Sequence, residues 1–238
     1  MPRFLMTRPA VQGARFAADL RAAFPGARVT HSPLMAPEFR VPDLPEGGFA
    51  ALVLTSETAV QGFRRLSAEM RAALPRMAWC VGDRTARAAR AAGLRAWSAQ
   101  GDAGALVALV QGARPEGRLL YLHGADLRGD VAERLSSAGI ETFSALIYDQ
   151  RPQPLTPAAR RLLAGRAPVI VPLFSPRTAD LLAAQAPLRA PLWVAALSPA
   201  VAQAAAALRP ERMATAERPD APALIAAIGA LIAAGPDA

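Results

Sequence analysis

The stretch Ala51-Leu52-Val53-Leu54-Thr55-Ser56-Glu57-Thr58-Ala59-Val60 decides the fold. Its short apolar run has the length and bounds of a buried strand, and Thr55-Ser56 then offers an N-cap for a helix. Strand, small polar junction and helix form half of a βα unit, and the same succession repeats along the chain. Strands are predicted at residues 4–7, 29–33, 51–55, 78–81, 95–97, 119–122, 141–147, 169–173 and 192–196. Alanine-rich helices lie between them, among them 12–23 and a helix over 130–138 that Gly139 ends. Regular alternation of this kind specifies an α/β fold with parallel sheets.

The deciding stretch also has an echo, Leu173-Phe174-Ser175-Pro176-Arg177-Thr178-Ala179. Further on, Trp79-Cys80-Val81-Gly82-Asp83-Arg84-Thr85-Ala86 corresponds to Val194-Ala195-Ala196-Leu197-Ser198-Pro199-Ala200-Val201-Ala202 at a comparable spacing, as two similar halves would give. Two stretches rich in proline, 36–48 and 148–157, interrupt the alternation and read as linkers. A βαβ unit precedes the first of them. The chain is therefore expected to leave one domain (residues 1–35), build a second (43–145) and return to complete the first (156–238), with 36–42 and 146–155 between them.

Composition removes whole classes of chemistry. All 27 basic residues are arginine, so no lysine can form an imine with pyridoxal phosphate or a carbonyl substrate, and no P-loop lysine exists. Two histidines and one cysteine, in no HxH, HxxxH or CxxC pattern, provide no metal site, and the G-x-S-x-G motif of a serine hydrolase is missing. Cys80, within an apolar run, reads as a packing residue. No run reaches the ~20 apolar residues of a membrane span and no signal-peptide core follows Met1, so a cytoplasmic location is expected. The net charge of +8 draws anions. Its arginines are scattered along helices with few aromatics between them, which favours a small polyanion over nucleic acid.

In a parallel α/β sheet, ligands bind beyond the carboxyl ends of the strands, where helix N-termini present free N–H groups. Thr7-Arg8-Pro9, Thr55-Ser56, Gly82-Asp83, Gly124-Ala125-Asp126, Ser175-Pro176 and Ser198-Pro199 all follow predicted strands. Each alone is an ordinary cap. Six junctions drawn from two similar halves form an array of sockets for carboxylates. Arg8 and Arg128 can pair with carboxylates bidentately.

Taken in order, these segments resemble the uroporphyrinogen-III synthase family across nearly the whole chain. Leu5-Met6-Thr7-Arg8-Pro9 resembles the family's opening, and the deciding stretch resembles its Thr-Ser motif. Cys80-Val81-Gly82-Asp83-Arg84-Thr85-Ala86 resembles its V-G-x-x-T-A segment. Leu119-Leu120-Tyr121-Leu122-His123-Gly124-Ala125-Asp126-Leu127-Arg128 resembles its strand and glycine turn. Glu57-Thr58, His123, Ser198 and Val201 depart from the family pattern.

The resemblance implies two facing Rossmann-like or flavodoxin-like parallel-sheet domains, the first discontinuous, joined by a two-stranded linker, with hydroxymethylbilane bound between them. It implies ring closure with inversion of ring D: the terminal hydroxyl leaves as water, attack at the substituted carbon gives a spirocyclic intermediate, and fragmentation and recombination follow. Such chemistry belongs largely to the substrate and needs no cofactor or metal. Tyr148, at the end of the second domain, corresponds to the family's most discussed side chain, as an acid toward the departing hydroxyl or a hinge residue that packs on the linker. Substrate contacts are expected from Thr7, Arg8, Thr55, Ser56, Gly82, Thr85, Gly124, Arg128, Ser175 and Ser198. A monomer is expected, with a transient hand-over from hydroxymethylbilane synthase and no nucleic-acid or membrane partner. At this point a non-catalytic two-lobed anion-binding or sensor protein, or a degenerate synthase paralogue, is still open.

Overall fold

The computed structural model describes residues 1–126 and 130–234. They divide into two compact units, Met1–Ala36 with Arg151–Ala238, and Pro37–Gln150. In the first unit, β1 (Arg3–Met6), α1 (Ala10–Ala23) and β2 (Arg28–His31) come from the beginning of the chain. The remainder is α7 (Pro157–Leu163), β9 (Val169–Leu173), α8 (Pro176–Ala183), β10 (Leu192–Ala196), α9 (Pro199–Ala205), β11 (Arg212–Thr215) and α10 (Ala221–Ala233). The second unit holds β3 (Met35–Phe39), β4 (Ala51–Leu54), α2 (Glu57–Arg65), α3 (Ala68–Ala73), β5 (Met77–Cys80), α4 (Asp83–Ala91), β6 (Arg95–Ser98), α5 (Ala103–Ala113), β7 (Leu119–Gly124), α6 (Val131–Ser137) and β8 (Thr142–Pro152).

The strand orders are β11-β10-β9-β1-β2 and β3-β8-β7-β4-β5-β6. With β3 set aside, β6-β5-β4-β7-β8 matches β11-β10-β9-β1-β2 strand for strand, which gives the sequence echo its structural meaning: β4 corresponds to β9, and β5 to β10. Within each of these five-stranded sets the pairings are parallel. The central strands β4, β9 and β10 are buried at every residue, as parallel strands covered on both faces require.

Each sheet has its own topological switch point. In the first unit, Phe16 and Leu20 of α1 cover one face together with α10, while Ala179 and Leu182 of α8 cover the other with α7 and α9. The chain therefore leaves neighbouring β1 and β9 toward opposite faces. In the second unit, α2 packs on one face through Ala59, Val60 and Phe63, and α6 on the other through Val131 and Leu135, so β4 and β7 diverge likewise. A crevice between such strand ends is where open α/β sheets bind ligands.

The structure corrects the strand assignments in three places. Residues 35–39 carry β3, whose interior Pro37 disguises it and confines it to a sheet edge. β8 continues through Pro152 rather than ending at 147, because its outer half gains a partner in β3: Arg40 N–H donates to Ile147 O and Gln153 N–H to Leu34 O, an antiparallel pattern. Arg212–Thr215 forms β11, a four-residue edge strand too short for its pattern to stand out.

Cys80 ends β5 with no exposed surface, and burial pushes its thiol up to about 12 from an ordinary 9.0. A pKa higher in the folded than in the unfolded chain contributes stability below about pH 9, lost progressively as the pH climbs toward 12. The melting temperature should therefore fall above pH 9. In Cys80→Ala this alkaline fall should be shallower, and equal slopes in a thermal-melt series would show the thiol to be uninvolved. Thiol reagents should label Cys80 only as the chain unfolds.

Candidate functional site

Each unit has candidate residues of its own. In the second, Ser56 caps α2, its Oγ accepting the Ala59 N–H at 3.0 Å. The same Oγ lies 3.2 Å from the Tyr148 hydroxyl. One residue earlier, Thr55 Oγ1 lies 3.1 Å from the Tyr121 hydroxyl. The dipeptide after β4 thus engages the chain's two tyrosines, one from β7 and one from β8, and both phenols meet at the switch point.

A bulge delivers Tyr148 there. The β7–β8 register runs Leu122↔Ala145, His123↔Leu146 and then Gly124↔Tyr148, leaving Ile147 extra. Without that residue the alternation of the strand would send Tyr148 to the face opposite Ile147. With it, Ile147 is buried against α2 and Tyr148 packs on the same core. Ala125 N–H donates to Tyr148 O at 3.0 Å and locks the bulge. Gly124 is required by this approach, since a Cβ there would stand 2.7 Å from the Tyr148 hydroxyl, 2.6 Å from its ring carbon Cε2 and closer still to Cζ.

Tyr121 is 3% exposed. Burial raises its pKa, and the nearby Tyr148 adds to the rise against the opposing effect of the hydrogen bond with Thr55, so the phenol remains protonated at neutral pH. His123 follows two residues later, its ring 5.0 Å from that of Tyr121. Its Nδ1 is 2.8 Å from Gly124 O, so Nδ1 carries the proton and the ring braces the turn. Gly82 opens α4 with no side-chain cap, and Thr85 lies in that helix's first turn, 5% exposed. Both belong to the neighbouring strand end and not to the β4–β7 crevice.

In the first unit, Thr7 and Arg8 follow β1 and Ser175 follows β9, the two strands of its switch point. The Arg8 guanidinium sits 3.9 Å over the ring of Phe174, which meets Phe16 edge-on at 4.9 Å. An aromatic shelf thereby holds a cation beside the N-terminus of α8, a suitable arrangement for an anion. Ser175 caps α8, accepting the Thr178 N–H and lying 2.8 Å from Thr178 Oγ1. Thr7 is 1% exposed; its carbonyl accepts the Leu34 N–H, while its Oγ1 has no hydrogen-bond partner among the described residues. Ser198 heads α9 without a side-chain cap bond, in the place that Gly82 has in the other unit. Arg128 lies outside the described residues.

Sequence reasoning passed over Tyr121 and Phe174. Both carried a signal: Phe174 stands just after the end of β9 and Tyr121 lies within β7, three residues before its end, and both strands border a switch point. That signal becomes readable only once the strand order is known. A cavity of about 430 Å³ lined by Leu155, Arg160, Leu163 and Arg189 lies at the opposite, amino end of the first sheet and holds none of the candidate residues. Among the described residues, no group of three or more His, Cys, Asp or Glu could hold a metal ion, and no helix is long and apolar enough to cross a membrane.

Comparison with known proteins adds what geometry does not. The family model described as Uroporphyrinogen-III synthase HemD matches residues 14–226. The crystal structure of uroporphyrinogen-III synthetase from Helicobacter pylori is similar over 97% of this chain and 100% of that one, with a TM-score of 0.66 and 15% identity. Wild-type uroporphyrinogen III synthase from the extremely thermophilic bacterium Thermus thermophilus aligns over 98% and 99% of the two chains, with a TM-score of 0.42 and 18% identity. No curated protein matches the sequence.

Proposed function

The chain belongs to the uroporphyrinogen-III synthase family, cyclising lyases of tetrapyrrole biosynthesis, and from that premise we infer how its residues conduct the reaction. The observation that carries the inference is the family match over residues 14–226. The substrate is hydroxymethylbilane, whose carboxylate side chains suit a protein of net charge +8.

The reaction begins when the terminal hydroxyl leaves as water. We take Tyr148 as its proton donor. Ser56 Oγ is already occupied as acceptor by the Ala59 N–H, so its own proton can be donated to Tyr148 Oη, which leaves the phenol proton for the departing oxygen. The azafulvene that remains is attacked by the substituted carbon of ring D, and the spirocyclic product fragments and recombines with that ring inverted. Positioning matters most here, because the intermediate would otherwise close without inversion. We take Thr55, Ser56 and Gly124, with the N-terminus of α4 at Gly82 and Thr85 at the neighbouring strand end, as one set of carboxylate sockets. Arg8, Ser175 and Ser198 form another, with Thr7 set deep beneath Arg8. We further take residues 36–42 and 146–155 as the connections between two domains, the protein as a monomer, and its substrate as handed over by hydroxymethylbilane synthase in the cytoplasm.

The test couples the protein to hydroxymethylbilane synthase and separates uroporphyrinogen isomers. Type III should dominate; type I alone, the product of spontaneous closure, would exclude the assignment. With carboxylates shared among many groups, no single anchor should dominate. Arg8→Ala should raise KM by less than about 3 kcal/mol, the upper range for a hydrogen bond to a charged group, and KM should rise with ionic strength. Loss of all binding in a folded Arg8→Ala protein would contradict a distributed site.

A further inference from the structure

We infer that Tyr121 is a positioning residue for the reaction: from beneath the sheet end it fixes Thr55 as a hydrogen-bond donor toward an anionic group of the substrate. The inference rests on the synthase reading above and adds to it a residue and a direction of hydrogen bonding.

The argument turns on two protons. Tyr121 and Thr55 each have one hydroxyl proton, and their oxygens lie 3.1 Å apart, so only one of the two can donate to the other. Tyr121 is 3% exposed and is packed among Val53, Leu106, Val110 and Leu135. A buried O–H that donates to nothing incurs the full loss of its hydration, whereas an oxygen with unfilled lone pairs loses much less. Thr55 is the hydroxyl's hydrogen-bond partner in the structure, so the phenol donates and Thr55 accepts. Thr55 is half-buried at the carboxyl end of β4, and its own proton is left to point away from Tyr121, into the switch-point crevice. An alcohol so polarised is a donor for a carboxylate.

The same dipeptide treats its second hydroxyl in the opposite sense. Ser56 Oγ accepts a backbone N–H, and its own proton is free to be donated to Tyr148 Oη. Thr55 and Ser56 therefore sort the chain's two phenols: the buried one donates to Thr55 and holds a binding group, and the more exposed one retains its proton for chemistry. Tyr121 occupies an inward position of a buried strand, in register with Val53, where an apolar residue would pack equally well. A phenol at that depth is therefore explained by its bond to Thr55.

The test is a double-mutant cycle on Tyr121→Phe and Thr55→Val, with Thr55→Ser as the conservative variant, followed by KM, kcat and the type III fraction in the coupled assay. Tyr121→Phe should raise KM roughly tenfold while kcat stays within about twofold, the pattern of lost ground-state binding. Thr55→Val should do the same, the double variant should be no worse than Thr55→Val, and Thr55→Ser should stay near wild type. A Tyr121→Phe enzyme with unchanged KM overturns the inference, and so does one whose effect multiplies with that of Thr55→Val. If Tyr121→Phe fails to fold, the threonine variants decide: Thr55→Ser as weak as Thr55→Val overturns it. A wild-type protein that yields only type I isomer overturns the synthase reading and this inference together, whereas an active wild type with a silent Tyr121→Phe overturns this inference alone.

Discussion

Tyr148→Phe is expected to lower kcat by about 10²-fold or more, the usual worth of a general acid in proton transfer, and to shift the product toward type I isomer. The substitution removes one oxygen. It leaves the ring that packs on the α2 core and the backbone bond from Ala125 N–H, so the fold should persist and the melting temperature should change little. Ser56 retains its capping bond to Ala59, so α2 should begin where it does now. The isomer ratio is the sharper readout, because hydroxymethylbilane closes spontaneously and a slowed enzyme loses the race to that path. Near-normal kcat and an unchanged type III fraction would remove the phenol from the mechanism. Catalysis would then rest on positioning by strand-end groups alone.

Gly124→Ala should be at least as damaging, by a different route. The added methyl would lie 2.6 Å from a Tyr148 ring carbon and 2.7 Å from its hydroxyl, closer than real carbon contacts allow. Because the bulge and the Ala125 bond hold the Tyr148 backbone, the ring must swing away and the hydrogen bond to Ser56 must break. Overpacking of this kind costs about 1–3 kcal/mol of stability, and kcat should fall as far as in Tyr148→Phe. Gly112→Ala in α5 is the matched control, since a Cβ there meets nothing within 4 Å and alanine is the better helix former. In a Tyr148→Ala background, where the obstructing ring is gone, Gly124→Ala should cost no further stability, and activity should stay low. Full activity in Gly124→Ala would mean that Tyr148 works from another position.

The α/β class was legible because a buried parallel strand announces itself locally. Ala51–Leu54, Val169–Leu173 and Leu192–Ala196 are short apolar runs ended by Thr-Ser, Phe-Ser and Leu-Ser, and Ser56, Ser175 and Ser198 each head a helix in the structure. The repeat between the halves was visible for the same reason, since matching strand and cap residues recur in order. Edge strands were harder. β3 includes a proline and β11 spans four residues, and neither has the two-sided burial that makes a strand conspicuous.

The candidate site divides along the same line. Serine and threonine caps at strand ends were nameable from sequence, because capping is a bond within three residues of chain. Which caps share a crevice was not, because that depends on strand order: Thr55 and Gly124 are neighbours only because β4 and β7 are hydrogen-bonded, although 69 residues separate them. Tyr148 was nameable only through resemblance to a family. The reason it reaches Ser56, one extra residue in β8 at Ile147, is a matter of register between two strands, and register is set by packing rather than by either strand alone.

By itself, then, the sequence determined what local interactions determine in this protein: strands, caps and the order of βα units, together with the absence of lysine and of the chemistry that needs it. The tertiary structure decided what depends on pairing distant segments. It set the two switch points, the bulge that turns Tyr148 toward α2, and the burial that makes Tyr121 donate to Thr55. Local bonds form between residues close in the chain and leave their mark in its pattern. The protons of Tyr121 and Tyr148 are assigned by neighbours 66 and 92 residues away, and only the folded sheet brings those neighbours within reach.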